Sequence, residues 1–260
     1  MIDYSFRKWF ISGDDLRSLI VRSQSVRDLL RRQIEEQITG IVFPDLSPTS
    51  DQWDNFVQSM GLKDVDIQFS DRSSSSHLQE WLSSRDWSLD DLDIHILRPH
   101  ALSLFKEQRY GPGVEELFLT RKNDLDTVIY SLLRVKDPGL ARELWISLSE
   151  GEVSFAELAE RFSDGPESST KGVIGPLPMG SIENVLSDRL RSLRKGQLRP
   201  PEALGGWHVL LRLETLSPAR LDKATRNKLL DEQFESWIRR RVDAILSGDT
   251  PDPLHFDLDA

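Results

Sequence analysis

The segment from Ser154 to Gly175, SFAELAERFSDGPESSTKGVIG, constrains what this chain can fold into more than any other. Ser154 with Glu157 is a capping-box pair, in which hydroxyl and carboxylate satisfy the backbone donors that a helix start leaves open. A short amphipathic helix then runs to Phe162. The stretch that follows is rich in turn formers, and Gly172 and Gly175 bound a short strand. Helix, loop and strand in so short a span imply a compact layer of helix against sheet.

Two further runs supply that sheet. Thr127 to Val135, TVIYSLLRV, is β-branched and aromatic and lies between Asp126 and Pro138-Gly139. It is apolar almost throughout, which predicts a central strand covered on both faces. Trp207 to Leu213 is a final strand, preceded by a Pro200-Pro201 edge. Helices are predicted at Leu140–Ser149, Ser154–Phe162 and Ile182–Leu193. The order β, α, α, short β, α, β, β gives an α+β fold with helices over one small antiparallel sheet.

The flanks read as helical. Leu16, Leu19, Ile20, Val26, Leu30 and Ile34 predict a helix from Asp14 to Ile38, capped at Ser12 or Gly13. A short helix carries Trp53, Phe56, Val57 and Met60, capped at Thr49 or Ser50 and stopped at Gly61. Ser70 to Ser76 reads as a loop. Helices follow at His77–Ser84 and Leu89–Lys106, the second capped by Ser88 with Asp91 and kinked or split at Pro99. Gly111-Pro112-Gly113 breaks the chain before a helix from Val114 to Lys122. The helix Leu221–Leu246 carries a stripe of Leu230, Phe234, Trp237, Ile238, Val242 and Ile245 that must be buried. The expected organisation is a helical N-terminal domain (1–125), an α+β domain (126–216), a closing helix packed on the first domain (217–248) and a flexible tail (249–260).

Several function classes are disfavoured. Acidic residues outnumber basic ones, 43 to 33, for a net charge of -10, the wrong sign for a surface that neutralises phosphates. The absence of cysteine excludes disulfides, thiolate nucleophiles and Cys-ligated zinc. No run approaches the roughly 20 apolar residues of a membrane span, so no membrane insertion is expected. The N-terminus lacks the basic-then-apolar pattern of a leader, giving a cytoplasmic expectation, or a periplasmic one if a leader was removed. Asp93, His95 and His100 lack the i, i+4 spacing of a helical zinc site, and no metal or cofactor is expected. Arg239 to Arg241 read as a solvated face.

Taken together, the central pieces resemble a parvulin-type (PpiC) peptidyl-prolyl isomerase domain over roughly Asp126 to Leu216. The likeness is carried by Gly151, Phe155 to Ala159, Phe162-Ser163-Asp164, Gly172 and Gly175, Gly196-Gln197 with Pro201, and Gly206-Trp207-His208-Val209. Each piece is common; their order is specific. The resemblance implies rotation about an Xaa-Pro amide, a reaction without metal, cofactor or covalent nucleophile. The barrier is roughly 18–20 kcal/mol because nitrogen shares its lone pair with the carbonyl, and a protein lowers it by holding the twisted amide. The resemblance further implies that the proline ring rests on Ile174, Ile182 and Leu186. It also implies a polar cluster: a histidine on the first strand, a Cys or Asp after the Ser-Asp pair, and a histidine on the last strand. Those positions fall here on Ser131, on Gly165 with Asp164 beside it, and on His208. The expected catalytic set is therefore His208, Ser131 and Asp164, with the apolar notch beneath the His208 imidazole and Ser131 paired to it across neighbouring strands.

The flanking helices resemble those of SurA-like chaperone/isomerases, in which N- and C-terminal helices combine into a substrate-holding module. This implies a peptidyl-prolyl isomerase that assists folding or export of client chains, with unfolded, proline-containing and secreted polypeptides as partners. The alternative is a parvulin-fold chaperone, feeble or inactive as a catalyst, that grips proline-containing unfolded segments.

Overall fold

The structure is a computed structural model and describes residues 13–60 and 68–254. The cap at Ser12, the stop at Gly61 and the end of the tail lie outside the described residues. The chain divides into two compact units, one of Met1–Val114 with Asn227–Ala260 and one of Glu115–Arg226. The helix expected from Val114 to Lys122 thus falls with the sheet, while most of the C-terminal helix falls in the first unit.

The first unit holds α1 (Gly13–Arg22), α2 (Val26–Gln37), α3 (Ser50–Ser59), α4 (Ser76–Ser83), α5 (Leu89–Tyr110) and most of the long C-terminal helix α10 (Lys223–Ser247). The single helix predicted from Asp14 to Ile38 is two. Gln24 takes a left-handed φ of 59°, and Ser23 Oγ donates to the Ile20 carbonyl oxygen at 2.9 Å, a local bond that competes with the helical ladder. α5 continues through Pro99 rather than splitting there. Proline costs a helix about 3 kcal/mol. Burial of Leu92, Leu97, Ala101 and Phe105 on both sides of it outweighs that, at about 1.5–3 kcal/mol for each large side chain. Phe234, Ile238 and Val242 of α10 pack with Ile34, Ile38 and Phe105 in one core cluster. Leu254 joins that cluster, so the predicted flexible tail is anchored at least to this residue. A second cluster gathers Trp53, Phe56, Leu78, Leu82 and Leu92.

The second unit runs from α6 (Val114–Leu125) into β1 (Thr127–Val135), α7 (Pro138–Glu150), α8 (Phe155–Phe162), β2 (Val173–Pro178), α9 (Asn184–Arg191), β3 (Leu198–Leu204) and β4 (Trp207–Ser217). The four strands form one antiparallel sheet in the order β2-β1-β4-β3. β1 is central, as its apolar run predicts. The edges carry prolines, Pro176 and Pro178 on β2 and Pro200 and Pro201 on β3, which blunt further strand pairing. The capping box at α8 is present, with Ser154 and Glu157 each bonding the other's backbone N–H. Gly205 and Gly206, both at positive φ (57° and 82°), close the two-residue hairpin between β3 and β4.

The sheet has two covered faces. On one, Leu133, Val135 and Leu210 pack against Ala141 and Leu144 of α7 and Phe155, Leu158 and Ala159 of α8. On the other, Val128, Tyr130, Leu132, Val209, Leu211 and Leu213 pack against Met179, Ile182 and Leu190. Among the described residues, no helix is long and apolar enough to cross a membrane.

Candidate active site

A cleft of about 430 Å³ opens on the second of these faces. Its floor comes from β1 and β4, where Tyr130 opposes Leu213, Leu132 opposes Leu211 and Arg134 opposes Val209. Ile174, across from Tyr130 on β2, forms one wall. Val185 and Leu186 of α9 and Trp207 at the entry to β4 form the others, with Glu183 at the rim. Size and composition suit a small apolar ring with a few fixed polar contacts.

The charged contact at the floor is Arg134. Its Nε donates to Glu167 Oε1 at 2.9 Å and its Nη2 to Oε2 at 2.7 Å. Ser163 Oγ donates to the same carboxylate at 2.6 Å and accepts the Arg134 backbone N–H at 3.1 Å. The loop after α8 is thus tied to the edge of β1, and the Asp164 N–H completes the tie by donating to the Arg134 carbonyl oxygen at 2.9 Å. The Glu167 side chain is 1% exposed and that of Arg134 is 30% exposed. Burial alone would push the Glu167 carboxyl up, but the hydrogen bonds from Arg134 and Ser163 hold it below the usual carboxylate range. Arg134 is held above its ordinary value by the same bond to Glu167 and stays charged. Gly165 makes the arrangement possible. A Cβ there would lie 2.3 Å from Arg134 Nε and 2.3 and 2.5 Å from the two Glu167 carboxylate oxygens.

Of the residues expected at the site, Ile174 and Leu186 line the cleft. Ile182 is 8% exposed and belongs to the core beneath it, in one cluster with Met179 and Leu190. The catalytic set does not assemble as expected. Side chains alternate along a strand, so His208, between the cleft residues Trp207 and Val209, projects from the opposite face. Ser131 shares that face, because it lies between Tyr130 and Leu132. The two do not pair. His208 opposes Val135 and Ser131 opposes Arg212, a separation of about 13 Å along the ladder at roughly 3.3 Å per residue. Ser131 Oγ donates instead to Glu214 Oε1, which also accepts from Arg212 Nε at 2.7 Å. Asp164 is exposed on the loop, outside the cleft lining.

Sequence reasoning missed Tyr130, Leu132, Arg134 and Trp207. A signal for Arg134 was present: it is the one charged residue in TVIYSLLRV, a strand otherwise built for burial. Among the described residues, no group of three or more His, Asp or Glu side chains is placed to hold a metal ion. Asp93 is engaged by Arg72, and His95 packs against the rings of Phe56 and Trp87.

Residues 139–214 match the Rotamase family, described as the PPIC-type PPIASE domain. The chain therefore carries a PPIC-type peptidyl-prolyl isomerase domain. The curated proteins it matches include SurA chaperones. Chaperone SurA of Vibrio cholerae is 26% identical over 140 residues, 49% of this chain and 32% of that protein. Chaperone SurA of Alkalilimnicola ehrlichii is 33% identical over 112 residues, 39% of this chain and 26% of that protein. The chain thus spans about a third or less of the length of these relatives. Among solved structures, the peptidylprolyl isomerase PrsA from Bacillus cereus matches over 95% of this chain and 92% of its own, at 18% identity and a TM-score of 0.43. The parvulin domain of PpiD from E. coli matches 38% of this chain and 95% of its own, at 24% identity and a TM-score of 0.33.

Proposed function

We propose that this protein is a peptidyl-prolyl cis-trans isomerase acting on proline-containing segments of unfolded client chains, those bound for export included. One observation carries this reading: the cleft combines walls of Ile174, Leu186 and Trp207, all within the segment matched to the isomerase family, with a single fixed cation, Arg134, on the strand just before that segment. The proline ring leaves water for the apolar walls, while the peptide on either side lies across the open mouth. Binding that fits the twisted amide better than either planar form lowers the rotation barrier without any covalent step. The helical unit, with its own core, supplies the surface for longer stretches of the client.

The test is a proline-limited peptide assay. The wild-type protein is expected to accelerate exchange above the spontaneous rate. Leu186→Ala is expected to lower kcat/KM by about tenfold or more, the usual effect of removing part of an apolar pocket. His208→Ala, on the far face, is expected to stay within about threefold of wild type, as distant sites act independently. No acceleration by folded wild-type protein overturns the isomerase reading. A second reading, a chaperone that holds proline-containing segments without turnover, is favoured by the displacement of Ser131, Asp164 and His208 from the cleft. It predicts suppression of client aggregation by a protein that leaves the isomerisation rate unchanged.

A further inference from the structure

The cleft contains a donor that the expected catalytic set leaves out. Two of the guanidinium's N–H groups, on Nε and Nη2, are committed to Glu167. Among the described residues, Nη1 and the second hydrogen of Nη2 have no protein acceptor, and Arg134 lines the cleft beside Ile174 and Leu186. The fork is fixed at both ends. Glu167 is buried and held by Ser163, and the Arg134 backbone is held by β4 on one side and the 163–164 loop on the other. Gly165 leaves the space through which the side chain reaches Glu167. The resemblance places a Cys or Asp at this position; here the ion pair occupies that space instead.

The electronic change in the substrate decides what such a donor can do. In a planar amide the nitrogen lone pair is shared with the carbonyl, and the oxygen is the better acceptor. In the twisted amide conjugation is lost, the nitrogen regains its lone pair and the oxygen loses charge. A donor on the oxygen therefore favours the ground state, whereas a donor on the nitrogen favours the transition state alone, which is the condition for catalysis. A donor held rigidly in an apolar cleft needs no reorganisation when the amide twists.

We propose that Arg134 is the catalytic donor of this domain, its Nη1–H meeting the nitrogen of the Xaa-Pro amide as the amide twists, with the proline ring against Ile174 and Leu186. This rests on the reading of the cleft as a prolyl site. No proton is transferred and no bond is made or broken; Arg134 remains charged throughout, and Glu167 positions it.

The experiment measures exchange rate and peptide affinity on the same proteins. Removing Arg134 alone strands the Glu167 charge, so the primary variant is the neutral pair Arg134→Gln/Glu167→Gln, with Arg134→Lys beside it and thermal unfolding confirming that both fold. The expected result is a fall in kcat of about 10- to 100-fold, the worth of one charged hydrogen bond. Peptide Kd is expected to change by less than about threefold, because the bond is absent in the ground state. Arg134→Lys is expected to lose as much as the double variant, because the ammonium cannot keep the fork and reach the nitrogen together. Wild-type catalysis with unchanged variant rates overturns the role of Arg134 and leaves the isomerase standing. Equal losses in Kd and in kcat/KM, at constant kcat, overturn it in favour of simple binding. A wild-type protein without acceleration overturns both readings.

Discussion

Arg134, Glu167, Ser163 and Gly165 act as one unit, and each explains the others. A bidentate guanidinium–carboxylate pair is rigid, and a buried glutamate is tolerated because Arg134 and Ser163 satisfy it. Gly165→Ala places a methyl group into this pair. It is expected to cost about 1–3 kcal/mol in urea unfolding, as overpacking does. Most of that cost should vanish when Arg134 and Glu167 are first replaced by alanine; a cost that persists contradicts the clash. Acid probes the same unit. Because the folded Glu167 carboxyl sits below its unfolded value of about 4.3, the stability it contributes is full above that value and drains as pH falls through the folded one. The urea midpoint is expected to drop over that acid window, and Glu167→Gln is expected to flatten the drop. An equally steep acid limb in the variant contradicts this account.

At the scale of elements, the legible and the hidden parts separate by pattern. The capping box of α8, the central place of β1 and the proline-bearing edge strand β3 were readable, because each rests on a local rule with a residue to match it. Which strand residues face the cleft was not readable. TVIYSLLRV and WHVLLRL are apolar on both faces, so neither shows the alternation that assigns a side chain to one side. A one-residue error then moves every side chain to the other face. Ser131 and His208 were misplaced in this way, while Tyr130, Leu132 and Arg134 lie in the cleft. The register shift between Ile129 and Tyr130 is a further irregularity that no residue pattern announces. Ile174 and Leu186 were readable through the resemblance, because they come from short elements around fixed glycines and not from the long strands. The break at Ser23–Ser25 and the passage of α5 through Pro99 went the other way, with hydroxyl bonding and burial overriding the periodicity and the proline.

Across the whole molecule, the chain forms two units with separate cores. One is a helical body in which α10 packs its apolar stripe on Ile34, Ile38 and Phe105 and fastens itself by Arg31–Glu235 and Arg27–Asp243 ion pairs. These pairs are half-exposed, so the burial of Phe234 and Ile238 contributes more to stability than they do. The other unit offers the cleft. The isomerase proposed above works on the Ile174–Leu186 face of the sheet. One NMR titration tests it, in which a labelled Xaa-Pro peptide reports cis–trans exchange while amide and side-chain shifts of the protein map the contact. Cis–trans exchange cross-peaks are expected only with protein, together with shifts at Ile174, Leu186, Trp207 and the Arg134 guanidinium and none at His208 or Ser131. Exchange accompanied by shifts centred on His208 and Ser131, or shifts in the cleft without any exchange, would contradict it.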